Sequence, residues 1–185
     1  MRREELGAEL LDHAYLEGDF VLRSGRRSSY YLDKYRFETQ PDVLAALGEH
    51  LAAEVSEHEP DAVRLAGPEL GAVALAASAS LSSGIPFVIV RSSAKEYGTA
   101  NRLEGLFAAG ERVCLIEDVV TTGGALLDAI EAVREAGLEC RIAVCVLDRE
   151  EGGADALARR GVRLVPLFRA GDLLPAQKTA AKPHG

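Results

Sequence analysis

The hydrophobic and polar positions along this chain fall into a repeating order of short apolar runs and helical stripes. Residues 3–16 place Leu6, Leu10, Leu11 and Ala14 at helical spacing. "DFVLRSG" and "SSYYLDKY" are short, rich in Tyr, Val and Leu, and separated by a turn at Gly25, which predicts a β-hairpin or two short strands. "PDVLAALGEHLAAEVSEH" predicts a helix with Pro41 in its first turn. From residue 62 onward strand and helix alternate. "AVRLAG", "PFVIVR", "RVCLIED", "CRIAVCVLD" and "VRLVPLF" predict strands. "ELGAVALAASASLSSG", "ALLDAIEAVREAG" and "GADALARRG" predict the helices among them.

The strand runs are continuously apolar rather than alternating, which predicts burial on both faces. An α/β fold follows, with a parallel sheet flanked by helices and ligands expected at the carboxyl ends of the strands. The pattern shows no internal repeat and no linker, so one domain over 1–185 is expected, with a polar tail at 175–185. Segment 92–105, "SSAKEYGTANRLEG", is the one long loop between strand candidates, a length typical of binding loops and lids.

Bulk properties narrow the function. A chain of 185 residues with 48% apolar and 27% charged residues can bury a full core. Its net charge of −8 argues against nucleic-acid and membrane-surface partners, which call for basic patches. No apolar run reaches the roughly 18 residues that cross a bilayer. "MRREELGAELLDHAY" is charged and helical in pattern, unlike a signal peptide. Cys114, Cys140 and Cys145 lie in apolar runs without metal spacing, which predicts buried, reduced thiols and a cytoplasmic protein.

The candidate chemistry lies in "VCLIEDVVTTGGALLDAI". An apolar strand ends in two carboxylates, Glu117 and Asp118; a turn of small residues follows, and then a helix. Backbone N–H groups at such a turn and helix start form an anion site. Gly123 and Gly124 let the backbone approach a ligand, and Thr121 and Thr122 add hydroxyl donors. Carboxylates do not sit on phosphate; they suit sugar hydroxyls, or a magnesium ion reached through water. One turn can therefore hold a ribose 5-phosphate. No "GK[ST]" follows, which excludes a Walker A loop, and "GxGxxG" is not present.

"VCLIEDVVTTGG" resembles the phosphoribosyl diphosphate (PRPP) motif of type I phosphoribosyltransferases. Within that family the chain is most similar to the orotate branch, from about residue 5 to 170. "FVLRSGRRSSYYLDKY" resembles that branch's N-terminal hood, placed at about 1–40 ahead of a core at 41–170. "AGPELGAVALA" resembles its diphosphate loop, "VRSSAKEYGTANRLEG" its catalytic loop, and "VLDREEGG" the segment whose arginine grips the substrate carboxylate.

The resemblance implies roles. Glu117 and Asp118 hold the ribose hydroxyls, Thr121, Thr122, Gly123, Gly124 and Ala125 surround the 5-phosphate, and Val119 and Val120 contact PRPP. Thr121 also lies near the base, Arg149 binds the orotate carboxylate, and Tyr31 stacks on the base. Arg23, Arg91, Ser92, Lys95 and Tyr97 contact PRPP, with Arg91 and Lys95 acting on the departing diphosphate beside Asp118. The implied cofactor is Mg2+ carried by PRPP and water, without a direct protein ligand. The implied assembly is a homodimer whose loops cross between subunits.

Four positions depart from the branch's usual pattern. Arg23 replaces a lysine, Ser92 a basic residue, Tyr97 a histidine, and Leu70 or Gly71 a lysine of the diphosphate turn. Other readings stay open at this point: a phosphoribosyltransferase for another base, a non-catalytic PRPP-binding regulator, Arg149 as a surface arginine paired with Glu150 or Glu151, and Tyr30 and Tyr31 as strand packing.

Overall fold

The computed structural model describes residues 1–21, 27–93 and 102–173. Arg23, Gly25, Lys95, Tyr97 and the tail at 175–185 lie outside them. Eight strands and seven helices are described: α1 (Arg3–Ala14), β1 (Tyr15–Val21), β2 (Arg27–Leu32), α2 (Lys34–Glu38), α3 (Pro41–His58), β3 (Arg64–Pro68), α4 (Gly71–Ser83), β4 (Phe87–Val90), β5 (Leu103–Glu104), β6 (Arg112–Val120), α5 (Gly124–Glu135), β7 (Glu139–Asp148), α6 (Gly153–Ala158), β8 (Arg163–Arg169) and α7 (Ala170–Leu173).

The large sheet has strand order β5-β4-β3-β6-β7-β8. β6 and β7 are its most deeply buried strands, and their apolar runs are shared between two cores. Cys114, Ile116, Ile142, Val144 and Val146 pack with α1, α3 and α4 on one face. Val113, Leu115, Ala143 and Cys145 pack with α5 and α6 on the other. A strand with both faces covered has no solvent side, so its sequence does not alternate. The three cysteines are free and buried. Burial pushes the Cys140 thiol up to about 12 and lifts Cys114 and Cys145 in the same direction, so they behave as small apolar side chains.

Three expectations change. The sheet is mixed, because β5 pairs antiparallel with β4 through Ile89–Glu104 and Val90–Leu103. This two-residue strand lies within the segment read as a loop and is too short to leave a periodic signal. β1 starts at Tyr15 rather than Asp19, so the first helix ends at Ala14. "DKY" belongs to no strand: Asp33 is the N-cap of α2, and Lys34 and Tyr35 open that helix. Leu6, Leu10 and Ala14 of α1 and Phe37 of α2 join the same apolar cluster as α3 and β6, which fixes the N-terminal segment on the sheet.

The closest helix contact on that face is between α3 and α4. A Cβ at Gly48 would lie 2.2 Å from Ser78 Oγ and 2.7 Å from the Ser78 carbonyl carbon, so no side chain fits there without moving backbone. Overpacking of this kind costs about 1–3 kcal/mol. Gly48→Ala is expected to lower unfolding stability by about that amount in urea titration, despite the better helix propensity of alanine. A stability equal to wild type would show that the two helices do not meet this closely.

Candidate active site

β6 carries the acid pair to the carboxyl edge of the sheet, where Thr121 to Gly123 turn the chain into α5. Gly123 has φ of 84°, in the left-handed region that favours glycine, and a Cβ there would meet Leu157 Cδ1 at 3.0 Å. Gly153 is packed against the same turn; its Cβ would lie 2.7 Å from the Thr121 carbonyl oxygen. The turn is thus held from behind by α6. It opens on a cleft of about 40 Å3 lined by Glu117, Thr121, Gly123, Gly124 and Ala125 among others. The N-terminus of the three-turn helix α5 faces this cleft, with the positive end of its dipole and unpaired N–H groups.

The acid pair itself is buried: Glu117 is 7% exposed and Asp118 2%. The Asp118 N–H donates to Glu117 Oε1 at 3.0 Å. Asp118 Oδ2 accepts from Lys34 Nζ, which reaches it from α2 across 84 positions of sequence. Gly71, the first residue of α4, makes this contact possible. A Cβ at that position would lie 1.9 Å from Asp118 Oδ2 and 2.7 Å from Lys34 Nζ. Glu38, one helical turn beyond Lys34, is 3% exposed and completes a group of three buried acids around one ammonium. Burial, followed by the charge of Asp118, pushes both Glu38 and Glu117 up to about 8.

The profile of the phosphoribosyl transferase domain family matches residues 37–163. A relative from Methanopyrus kandleri, an orotate phosphoribosyltransferase, is 50% identical over 174 residues, which cover 94% of this chain and 92% of that one. The chain belongs to the orotate phosphoribosyltransferase family. Solved structures agree. The Mycobacterium tuberculosis orotate phosphoribosyltransferase in complex with Fe(III) dicitrate superposes with a TM-score of 0.83 at 32% identity, covering 94% of this chain and 99% of that one. The same enzyme in complex with PRPP gives 0.78 at 29% identity, covering 92% and 98%.

Among the described residues, Arg91 and Ser92 after β4, Glu69 after β3, the acid pair of β6 and Arg149 after β7 lie at the carboxyl ends of neighbouring strands of the large sheet. Arg91 follows β4, and its guanidinium lies 3.6 Å from Glu104 Oε1. Its Nε is buried with no hydrogen-bond partner among the described residues. Ser92 is turned toward the β3–α4 connection: its N–H and hydroxyl donate to Glu69 Oε1 at 2.9 and 2.8 Å. These two bonds hold the Glu69 carboxyl below its ordinary value. Arg149 is anchored beside the Glu117–Ala125 turn, where its N–H donates to the Val120 carbonyl at 2.8 Å. Its side chain is 12% exposed, and its guanidinium pairs with Glu151 at 3.1 Å, one of the partners that the surface reading named. Tyr31 is 43% exposed, with its ring 5.6 Å from that of Phe20. Lys34, Glu38 and Glu69 were not singled out by sequence, and Gly71 was named only as standing, with Leu70, where the branch usually has a lysine.

Elsewhere, Glu54, Glu57 and His58 cluster on a more open cleft of about 700 Å3 bounded by α3 and β8, which contains none of the motif residues. No described helix is long and apolar enough to cross a membrane.

The raised Glu38 carboxyl sets a pH dependence. The native state keeps a proton that the unfolded chain releases above about 4.5, so native stability is full below that value and declines as pH rises toward 8. Glu38→Gln keeps the shape and removes the titration. Relative to wild type, its melting temperature is expected to rise by several degrees at about pH 8 and to change little at about pH 4.5. Equal shifts at both pH values, read by calorimetry, would place Glu38 in solvent.

Proposed function

We propose that this protein transfers the 5-phosphoribosyl group from PRPP to orotate, giving orotidine 5′-phosphate and diphosphate in pyrimidine synthesis. The observation that carries the reading is the Glu117–Ala125 turn: buried acids for sugar hydroxyls, then a backbone cradle for phosphate at the start of α5. Its family membership supports it. The direct test is orotate consumption, followed by absorbance, with PRPP and magnesium present.

The proposed roles follow from charge. Asp118 and Glu117 accept the ribose hydroxyls. Val119 through Ala125 surround the 5′-phosphate with backbone donors, and the α5 dipole adds to them. Orotate N1 attacks C1 of the ribose and the C1–O bond to diphosphate breaks, so negative charge grows on the leaving group. Arg91, just past β4, is assigned to that charge together with Lys95, and Ser92, Tyr97 and Arg23 to PRPP contacts. Orotate's carboxylate takes the place of Glu151 against the Arg149 guanidinium, a planar bidentate match, with Thr121 and Tyr31 against the ring.

The donor set fits a magnesium ion carried by PRPP. Asp118 is engaged by Lys34 and Glu117 by the Asp118 N–H, so the acids meet such an ion through water rather than as direct ligands. When bound, magnesium supplies charge neutralisation on the diphosphate. The assembly proposed is a cytoplasmic homodimer with loops shared between sites, each chain forming one domain. The common apolar cluster of α1, α2 and α3 supports the single domain.

Arg149→Ala is expected to raise the KM for orotate and leave PRPP affinity nearly intact, at a cost of roughly 2–5 kcal/mol for a desolvated charge partner. Equal losses for both substrates would assign Arg149 a structural role. Lys95→Ala is expected to lower kcat by about 100-fold, on the order of one oxyanion donor. Mixing Lys95→Ala with Asp118→Asn chains is expected to restore activity, because a mixed dimer holds one site with neither defect. Confirmed heterodimers that stay inactive would rule out shared loops.

A further inference from the structure

Among the described residues, Asp118 is the acid of the cluster that forms an ion pair, with Lys34. Its side chain is 3% exposed, and that of Lys34 33%. A carboxylate removed from water is costly unless a counter-charge and hydrogen-bond donors hold it. Here the counter-charge comes from outside the sheet. Burial pulls the Lys34 ammonium down, Asp118 more than restores it, and the net direction is up, so Lys34 stays charged at neutral pH. The contact is built into the backbone on three sides: α2 starts at Lys34, β6 presents Asp118 near its carboxyl end, and α4 starts at Gly71 with no side chain in the way. Glu38, buried on the same helix, leaves its Oε1 without a hydrogen-bond partner among the described residues. The ammonium is therefore committed to Asp118 rather than shared with Glu38.

We propose that Lys34 is a positioning residue of the PRPP site, the counter-ion through which the N-terminal segment holds the Asp118 carboxylate in place and aimed at the ribose hydroxyls. It acts through Asp118 and is not itself a ligand of the diphosphate. A polyanionic ligand gives the pair a second use. A carboxylate beside the phosphate cradle repels such a ligand, and the ammonium paired with it offsets that field. The inference rests on the reading of this turn as a PRPP site.

The test uses the full chain, with PRPP affinity from titration calorimetry and steady-state kinetics beside it. Lys34→Met is expected to weaken PRPP binding at least about tenfold, and Lys34→Arg to recover most of that loss, because the charge is kept. Orotate discrimination against other bases should not move. The deciding measurement is a double-mutant cycle: in an Asp118→Asn background, Lys34→Met should change PRPP affinity by less than about twofold, since its route of action is already gone. A folded Lys34→Met chain with wild-type PRPP affinity overturns the inference. So does a second full loss in the Asp118→Asn background, which would make Lys34 a direct ligand. Lys34→Gln, which keeps a donor and removes the charge, serves if the methionine variant does not fold. A wild type that binds PRPP but does not consume orotate overturns the catalytic reading alone, because the calorimetric cycle still decides the role of Lys34.

Discussion

A carboxylate buried at the end of a strand needs a counter-charge, and the site is organised around that requirement. Asp118 stands where β6 leaves the sheet, nearly out of contact with water, and its partner is Lys34 of α2. The remaining acids cannot also be charged at little cost, and both Glu38 and Glu117 are pushed up to about 8. Burial thus works against a dense group of negative charges beside the turn.

The same contact explains why the N-terminal segment is fastened to the sheet where it is. Leu6, Leu10, Ala14 and Phe37 supply the apolar attachment, and an apolar contact alone tolerates small slips in position. The ammonium-carboxylate pair does not, because its direction and length are fixed. Gly71 is the structural cost of that accuracy. Any other residue at the first position of α4 would occupy the space between Lys34 and Asp118. The absence of a side chain in the "GPELG" turn is thus part of the electrostatics of β6, two strands' worth of sequence away.

Much of this was legible in the sequence, and the limits have physical causes. The helix at 41–58 showed itself through Pro41 and a long apolar stripe, and β6 and β7 through continuous apolar runs that only doubly covered strands tolerate. The Glu117–Ala125 turn was readable because its chemistry is local: acids, small residues and a helix start follow one another in the chain. Lys34 and Glu38 were hidden for the opposite reason. Their helix is five residues long and follows an aromatic, strand-like run, so no period marks it. Their meaning depends on a residue 84 positions away. β5 was hidden by its length, since two residues pair with β4 only because the sheet edge is there to receive them.

The two arginines of the site illustrate what a ligand has to supply. Arg149 is paired with Glu151 within its own loop, and its N–H is anchored to Val120, so its position is set before any substrate arrives. The Arg91 backbone is anchored too, its N–H donating to the Arg102 carbonyl at 2.8 Å, but its guanidinium lies 3.6 Å from Glu104, a longer ion pair than that of Arg149. The difference suits the two tasks proposed for them. A group that recognises a carboxylate gains from being fixed in advance, because every donor already in place lowers the ordering cost of binding. A group that meets charge only as a bond breaks gains from donors left unsatisfied in the ground state, because contacts made only in the transition state lower the barrier rather than deepen the bound complex.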